Sequence, residues 1–123
     1  MPWKFNGNEP LFMQIAKHLR SEIISGKYMP DEQIPPVRQL AYEAAVNPNT
    51  MQKALCLLES EGLVYSRGTV GRFITPDVSI IENARSALKL DTVRGWLREA
   101  DELGIDTEEL IGYINQIKEE NTL

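Results

Sequence analysis

The stretch that decides the fold runs from Ile34 to Ile74 and reads IPPVRQLAYEAAVNPNTMQKALCLLESEGLVYSRGTVGRFI. It begins with two short helical patterns, which are separated by Val46-Asn47-Pro48. Two strand-like runs follow, at residues 63–67 and 72–75, and the loop between them has glycine at both ends. A helix, a tight turn, a second helix and a two-stranded ribbon form a winged helix-turn-helix, whose second helix lies in the major groove of DNA.

The second helix of this pair carries its own start and stop signals. The side chain of Asn47 can accept a hydrogen bond from a free N–H of the first turn, and Pro48 suits the first helical position, where no N–H is needed. Gly62 is predicted to end the helix. The residues predicted to face inward recur at i, i+3, i+4 and i+7 and form one apolar stripe: Met51, Ala54, Leu55 and Leu58.

The outward face of this helix favours DNA binding. Near its start it carries amides, a hydroxyl and a cation, whereas the acidic Glu59 and Glu61 come only at its far end. Amides and hydroxyls read base edges, and cations contact phosphate. The alternative is an ordinary amphipathic helix with a solvated polar face. The ribbon favours the DNA interpretation, because Arg67 and Arg72 flank its tip and suit phosphate or minor-groove contacts.

Many positions between residues 9 and 75 match one protein family in register. They are Pro10-Leu11-Phe12-Met13-Gln14-Ile15, Leu19-Arg20, Ile23, Gly26, Pro30, Ile34-Pro35, Arg38, Leu40-Ala41, Val46-Asn47, Thr50, Ala54, Leu58 and Gly62-Leu63. In these positions the chain resembles the N-terminal domain of the GntR family of bacterial transcription regulators. The short tail resembles the YtrA-like branch, in which two helices replace a large effector domain. The resemblance implies a repressor that binds double-stranded operator DNA.

The chain departs from the family pattern at three places. Pro30-Asp31 stands where the family has Pro-Gly, and Pro36 replaces the serine that opens the earlier helix. The role of that hydroxyl is therefore not carried over to this chain. Thr69 takes the place of the first glycine of the wing tip, unless Gly68 takes it after a shift of one residue.

Arg38 is predicted to project from the first turn of the earlier helix, residues 36–45, where a guanidinium can reach the groove edge. A solvated arginine, or an ion pair with Glu43, is the alternative. By position Arg38 matches the arginine with which the family contacts DNA, so the resemblance favours a DNA contact over these alternatives. The residues predicted to bind DNA are Arg38, Asn47, Asn49, Thr50, Gln52, Lys53, Arg67, Gly68, Thr69 and Arg72.

Two further patterns complete the N-terminal part. A first helix is predicted from near Pro10 to Gly26, because Phe12, Ile15, Ala16, Leu19 and Ile23 lie on one face. Trp3 and Phe5 precede it and are expected to pack on the domain. Prolines in the following connector leave room for a short strand at Gln33-Ile34, which could pair with the ribbon.

The net charge of −5 is divided unevenly along the chain. Residues 1–76 contain 8 basic and 7 acidic residues, a net charge of +1, whereas residues 77–123 contain 5 and 11, a net charge of −6. The placement of charge matters more here than the overall isoelectric point. Because a net charge of +1 is modest for a DNA-binding domain, we expect the affinity for DNA to depend on a second copy of this domain.

Residues 77–123 are predicted to form a two-helix hairpin. Asp106 and Glu109 form a capping box that starts the second helix. The apolar surface exceeds what the hairpin can bury on itself, so we expect a homodimer, with packing onto the N-terminal domain as the alternative. The predicted interface residues are Leu88, Trp96, Leu97, Leu110, Ile111 and Ile114.

The remaining composition excludes several classes of protein. The chain has no apolar run of ~20 residues and no signal-peptide core, so we expect no membrane span and a cytoplasmic location. Its one cysteine, Cys56, allows no internal disulfide and is expected to be buried or inert. No catalytic, metal-binding or cofactor motif is present in the sequence. Whether a small-molecule effector binds is left open.

The predicted fold class is mainly α with a small β-hairpin: a winged helix-turn-helix at residues 1–76, followed by a helical hairpin at 77–123. The predicted function is sequence-specific regulation of transcription. Two other functions compete with it, a winged-helix module that binds protein and a small enzyme with an acidic site in the tail. The polar recognition face argues against the first, and the scattered carboxylates argue against the second.

Overall fold

The computed structural model describes residues 3–122, which form five α-helices and one two-stranded antiparallel sheet. The elements are α1 (Leu11–Ile24), α2 (Val37–Ala44), α3 (Pro48–Ser60), β1 (Val64–Arg67), β2 (Gly71–Ile74), α4 (Val78–Glu102) and α5 (Thr107–Asn121). The ribbon pairs Val64 with Ile74 at its base and Arg67 with Gly71 at its tip. The predicted fold class is confirmed.

The chain divides into two compact units within α4. The first unit ends at Arg85 and the second begins at Ser86. The start of α4 belongs to the first unit, because Ile81 is buried in its core and Ala84 packs against it. The division therefore falls nine residues after the predicted boundary between 76 and 77, which marks the end of the wing. The assignment of the two parts as functional domains stays a prediction.

The core of the first unit consists of the inward faces of α1, α2, α3 and the ribbon. The apolar stripe predicted for α3 is confirmed, since Met51, Ala54, Leu55 and Leu58 are all buried. The predicted face of α1 is also buried, apart from the half-buried Phe12. Trp3 and Phe5 pack against this core, as expected. Burial of these side chains stabilises the fold because apolar surface is removed from water.

The start of α3 is held by the predicted cap. The Asn47 side chain accepts a hydrogen bond from the Asn49 N–H at 2.8 Å, and Pro48 occupies the first turn. The helix ends at Ser60, and Gly62 follows in a left-handed conformation with φ +80°. The Gly62 N–H donates to the Glu59 carbonyl, which satisfies a helix-end acceptor. Both ends of α3 therefore lie where the sequence predicts them.

The ribbon is braced by the connector before α2. Gln33 forms an isolated antiparallel bridge with Phe73, and the Ile34 N–H donates to the Arg72 carbonyl at 3.0 Å. The predicted pairing is confirmed, as a single bridge rather than a strand. Gln33 also donates through Nε2 to the Val70 carbonyl at 2.9 Å. Glycine is favoured at position 71, because its φ of +138° is strained for other residues and a Cβ there would displace the Gln33 amide, 2.8 Å away.

The second unit contains the rest of α4 and α5. Gly104 ends α4 with φ +75°, and the Ile105 N–H donates to the Ala100 carbonyl at 2.9 Å. The predicted capping box of Asp106 and Glu109 is present. No residue of Thr107–Asn121 is buried, so α5 keeps its apolar side exposed. Within residues 3–122, every helix is too short or too polar to cross a membrane.

Candidate nucleic-acid interface

The start of α3 presents polar side chains outward. Asn49, Gln52 and Lys53 are exposed, and Thr50 is half-buried. They lie on the side of the helix opposite the buried stripe, so the fold leaves them available to a ligand. The Lys53 ammonium lies 4.1 Å from the centre of the Phe12 ring of α1, a cation–π contact that anchors this lysine beside the first helix.

The two acidic residues at the far end of α3 are neutralised within the fold. Glu61 accepts two hydrogen bonds from the Arg20 guanidinium, at 2.8 and 2.7 Å. Glu59 accepts from Arg72 and, at 2.7 Å, from the Ser66 hydroxyl. Burial raises the pKa of Glu59, but these hydrogen bonds outweigh burial and place that pKa below its usual range. Neither carboxylate is left unpaired to repel an anionic ligand.

The two arginines that flank the wing tip have different environments. The Arg67 side chain is 52% exposed and its guanidinium lies 4.3 Å from the centre of the Phe73 ring. It also approaches the Asp31 carboxylate at 3.5 Å and donates to the Tyr65 hydroxyl at 2.9 Å. These contacts all belong to the guanidinium, which would have to leave them in order to reach a phosphate.

Arg72 is more enclosed and points back at α3. Its side chain is 14% exposed and forms an ion pair with Glu59. It also donates to the Gln52 amide oxygen at 3.3 Å and lies 3.9 Å from the Cys56 sulfur. The guanidinium is thus occupied by side chains of α3. Sequence spacing does not reveal this contact, because it joins residues from two elements.

Arg38 lies on α2 as an exposed residue. Among residues 3–122 it forms no salt bridge and no side-chain hydrogen bond. The ion pair with Glu43 considered from the sequence is absent, since Glu43 accepts from Gln39 Nε2 at 3.2 Å instead. Arg38 is accordingly available for a ligand.

The wing tip is an exposed turn of three residues. Gly68 has φ +45°, and the Val70 N–H donates to the Arg67 carbonyl at 2.9 Å. Gly68, Thr69 and Val70 are all exposed. The tip follows Arg67 directly in the chain, and the backbone of the tip is open to contact.

Two surface residues were not selected from the sequence. Tyr42 is 88% exposed on α2, one turn after Arg38. An aromatic side chain four residues after an exposed arginine is a signal that could have drawn attention to it. Cys56 is exposed, so the expectation that it is buried was wrong, whereas the expectation that its thiol is inert stays a prediction. Its position on the same side of α3 as Gln52 explains the exposure, because both lie outside the buried stripe.

In the part of the chain that the structure describes, no group of three or more His, Cys, Asp or Glu side chains could hold a metal ion.

The three-helix core, the capped α3 and the two-stranded wing together define a winged helix-turn-helix domain. In this class of protein the second helix of the motif is the one that enters the major groove of DNA.

The comparison with known families agrees with this class. The model of "Bacterial regulatory proteins, gntR family" matches residues 11–74, and the chain belongs to this family. It is a family of transcription regulators, not of enzymes. The resemblance seen in the sequence is confirmed.

Two curated relatives match over most of the chain. The transcriptional regulator YhcF of Bacillus subtilis is 28% identical over 116 residues, which cover 94% of this chain and 96% of that protein. The transcriptional repressor YtrA of the same organism is 27% identical over 110 residues, with coverage of 88% and 84%. The likeness to YtrA therefore extends beyond the winged-helix part into residues 77–123.

Two solved structures extend the comparison. A GntR-family regulator from Listeria monocytogenes is 28% identical with a TM-score of 0.83, and the match covers 91% of this chain and 98% of that one. The DNA-binding domain of AraR in complex with operator ORX1 is 32% identical with a TM-score of 0.55. That match covers 58% of this chain and 93% of the AraR domain.

Proposed function

We propose that this protein binds double-stranded operator DNA as a homodimer and represses transcription. The observation that carries the proposal is the exposed set of Asn49, Gln52 and Lys53 at the capped start of α3, with Arg38 and Arg67 exposed on neighbouring elements. The operator complex of the AraR domain and the name of the YtrA repressor support it.

In this proposal α3 lies in the major groove. Asn49, Thr50 and Gln52 contact base edges, because amides and hydroxyls can both donate and accept hydrogen bonds there. Lys53 contacts phosphate after leaving the Phe12 ring. Asn47 has its side chain engaged in the cap, so its role is to hold the start of α3 in place.

The remaining contacts in this proposal surround α3. Arg38 and Arg67 contribute phosphate contacts, and the backbone at Gly68 and Thr69 approaches the DNA at the wing tip. Such contacts fix the register and orientation of the domain without reading sequence. The part of the chain proposed to bind DNA is residues 1–76.

The second part of the chain, residues 77–123, is proposed to join two copies. The first part has a net charge of only +1, so one copy is expected to bind DNA weakly. Two copies placed about one helical turn apart, ~34–36 Å, would bind a two-fold operator. The residues proposed for this interface are Leu88, Trp96, Leu97, Leu110, Ile111 and Ile114.

The proposed base contacts are tested by Gln52→Ala and Asn49→Ala. A lost base contact should weaken binding by ~1–3 kcal/mol and relax the preference at one operator position. Selection of genomic fragments by the purified protein would first supply the operator, and gel shifts on single-position variants would then measure the preference. If both variants bind every duplex as the parent does, α3 does not read DNA in this way.

The proposed phosphate contacts are tested by Arg38→Met and Arg67→Met. Each should reduce the slope of log affinity against log salt concentration by about one unit, without changing sequence preference. Lys89→Met, which removes an exposed cation from α4, is the control and should leave the slope unchanged. Equal slopes in all four proteins would count against these contacts. A parent that binds no duplex even at low salt would instead favour a winged-helix module that binds protein.

A further inference from the structure

Three side chains of α3 converge on the guanidinium of Arg72. Its Nε donates to Glu59, its Nη1 donates to Gln52 Oε1 at 3.3 Å, and its Nη2 lies 3.9 Å from Cys56 Sγ. Gln52, Cys56 and Glu59 follow one another at i, i+4 and i+7, so they line one side of the helix. The wing strand β2 is thereby tied to the surface of α3 that carries Gln52.

The chemistry of arginine determines how the Gln52 amide is oriented. A guanidinium has only donors, so the amide atom that faces Arg72 must be the oxygen. The amide nitrogen Nε2 then points elsewhere, and among residues 3–122 the acceptor within its reach is Cys56 Sγ at 4.0 Å, which is weak. Gln52 is exposed. Because Arg72 turns the amide oxygen towards the wing and takes one of its two lone pairs, the group that Gln52 offers most readily to a ligand is its NH₂.

We propose that Arg72 is a positioning residue for base recognition, which holds Gln52 as a hydrogen-bond donor and thereby makes it select guanine over adenine. This inference rests on the proposed function. In the major groove guanine presents two acceptors, N7 and O6, whereas adenine presents one acceptor and one donor. An unrestrained glutamine suits adenine, because it can donate and accept together. A glutamine whose oxygen is held by arginine suits guanine.

The electrostatics of the site distinguish this role from a phosphate contact. The charge of Arg72 is balanced by Glu59, and the side chain is 14% exposed, compared with 52% for Arg67. A paired and enclosed guanidinium releases few counterions when DNA binds, because it neutralises no phosphate. Substitution of Arg72 with lysine, which keeps the charge that balances Glu59, should therefore change which base is preferred and leave the salt slope as it is.

The test uses the full-length protein and four versions of its selected operator. Gln52→Ala identifies the base pair that Gln52 reads, and the four duplexes carry each base pair at that position. We expect the parent to prefer guanine over adenine by roughly tenfold. Arg72→Met, which keeps the aliphatic volume, should abolish this preference. In a chain that already carries Gln52→Ala, Arg72→Met should cause no further change in base preference, because both changes remove the contact between Arg72 and Gln52.

Arg67→Met is the matched control, since it removes the other wing arginine without touching Gln52. It should lower the salt slope and keep the guanine preference. Arg72→Lys covers the case in which Arg72→Met does not fold. Its single ammonium can pair with Glu59 but cannot also reach Gln52, so this variant should lose the guanine preference as well.

Several results would overturn the inference while leaving the proposed function intact. One is a parent that prefers adenine at the Gln52 position. A second is an Arg72→Met or Arg72→Lys protein that retains the parental preference. A third is an Arg72→Met protein that, in a chain whose Glu59 carboxylate is removed by Glu59→Gln, weakens all four duplexes equally and loses about one unit of salt slope, which would make Arg72 a phosphate contact. If the parent binds no duplex in a salt-dependent manner, the proposed function fails and the inference fails with it.

Discussion

Replacing Trp96 with alanine and Ile111 with aspartate in one chain is expected to give a monomer whose affinity for the operator falls about 100-fold. In the single chain Trp96 is 61% exposed and Ile111 is 53% exposed. A large aromatic side chain in a dimer interface is typical of an energetic hot spot. An aspartate at the second position would place an unpaired charge in an apolar contact. Loss of the dimer removes the gain from binding two half-sites together.

The measurement is sedimentation at micromolar concentration, followed by a gel shift on the selected operator. Gln116→Asp is the control, because it introduces the same charge at an exposed position on the polar side of α5. A protein that ends at Arg85 should also be monomeric. It has to run to Arg85, since a chain that stops at Thr75 would lose Ile81 from the core. If the variants stay dimeric, or if the parent is monomeric, the second unit does not form the dimer and has another function.

The fold was predictable because its signals are local. Asn47 before Pro48 marks the start of α3, and the structure shows the predicted cap. Gly62 and Gly104 follow helix ends in the left-handed region that glycine adopts readily. The inward residues of α3 recur at helical spacing and are buried. In each case, residues within about seven positions of one another determine the outcome, so the sequence alone contains the information.

The details of the site were less predictable because they depend on pairs of distant residues. Arg67 and Arg72 look equivalent in the sequence, but the ribbon directs Arg72 towards Glu59 and leaves Arg67 exposed. The pairing of Arg20 with Glu61 joins α1 to the end of α3 across 41 positions. Such contacts follow from how the elements pack, and helical or strand periodicity does not encode them.

The domain boundary shows the same limit. Pro76 and Asp77 mark the end of the wing, and they are the strongest break in the sequence. In the structure, however, the first compact unit ends at Arg85, because Ile81 of α4 is buried in the core of that unit. Because α4 continues through this division, the sequence contains no helix-ending signal there. The apolar pattern of α4 also does not show which of its residues belong to the core of the first unit.

Leu58→Ala is expected to destabilise the first unit by about 2–5 kcal/mol, a large part of the ~5–15 kcal/mol that separates typical folded and unfolded states. Leu58 is fully buried at 0% exposure, and alanine would leave a cavity that its neighbours fill only in part. Leu11→Ala makes the same chemical change at a residue that is 39% exposed. Leu11→Ala should lower the free energy of unfolding much less, because little apolar contact is lost there.

Urea unfolding of the parent and both variants at one fixed protein concentration measures the difference, since dimer formation makes stability depend on concentration. Equal midpoints for the two variants would show that Leu58 is not the core contact described here. The consequence for function follows from the position of Leu58 on α3. The side chains proposed to read bases and the side chains that anchor the core belong to one helix. A cavity under that helix should therefore weaken binding to the operator, even though Leu58 itself contacts no DNA in this proposal.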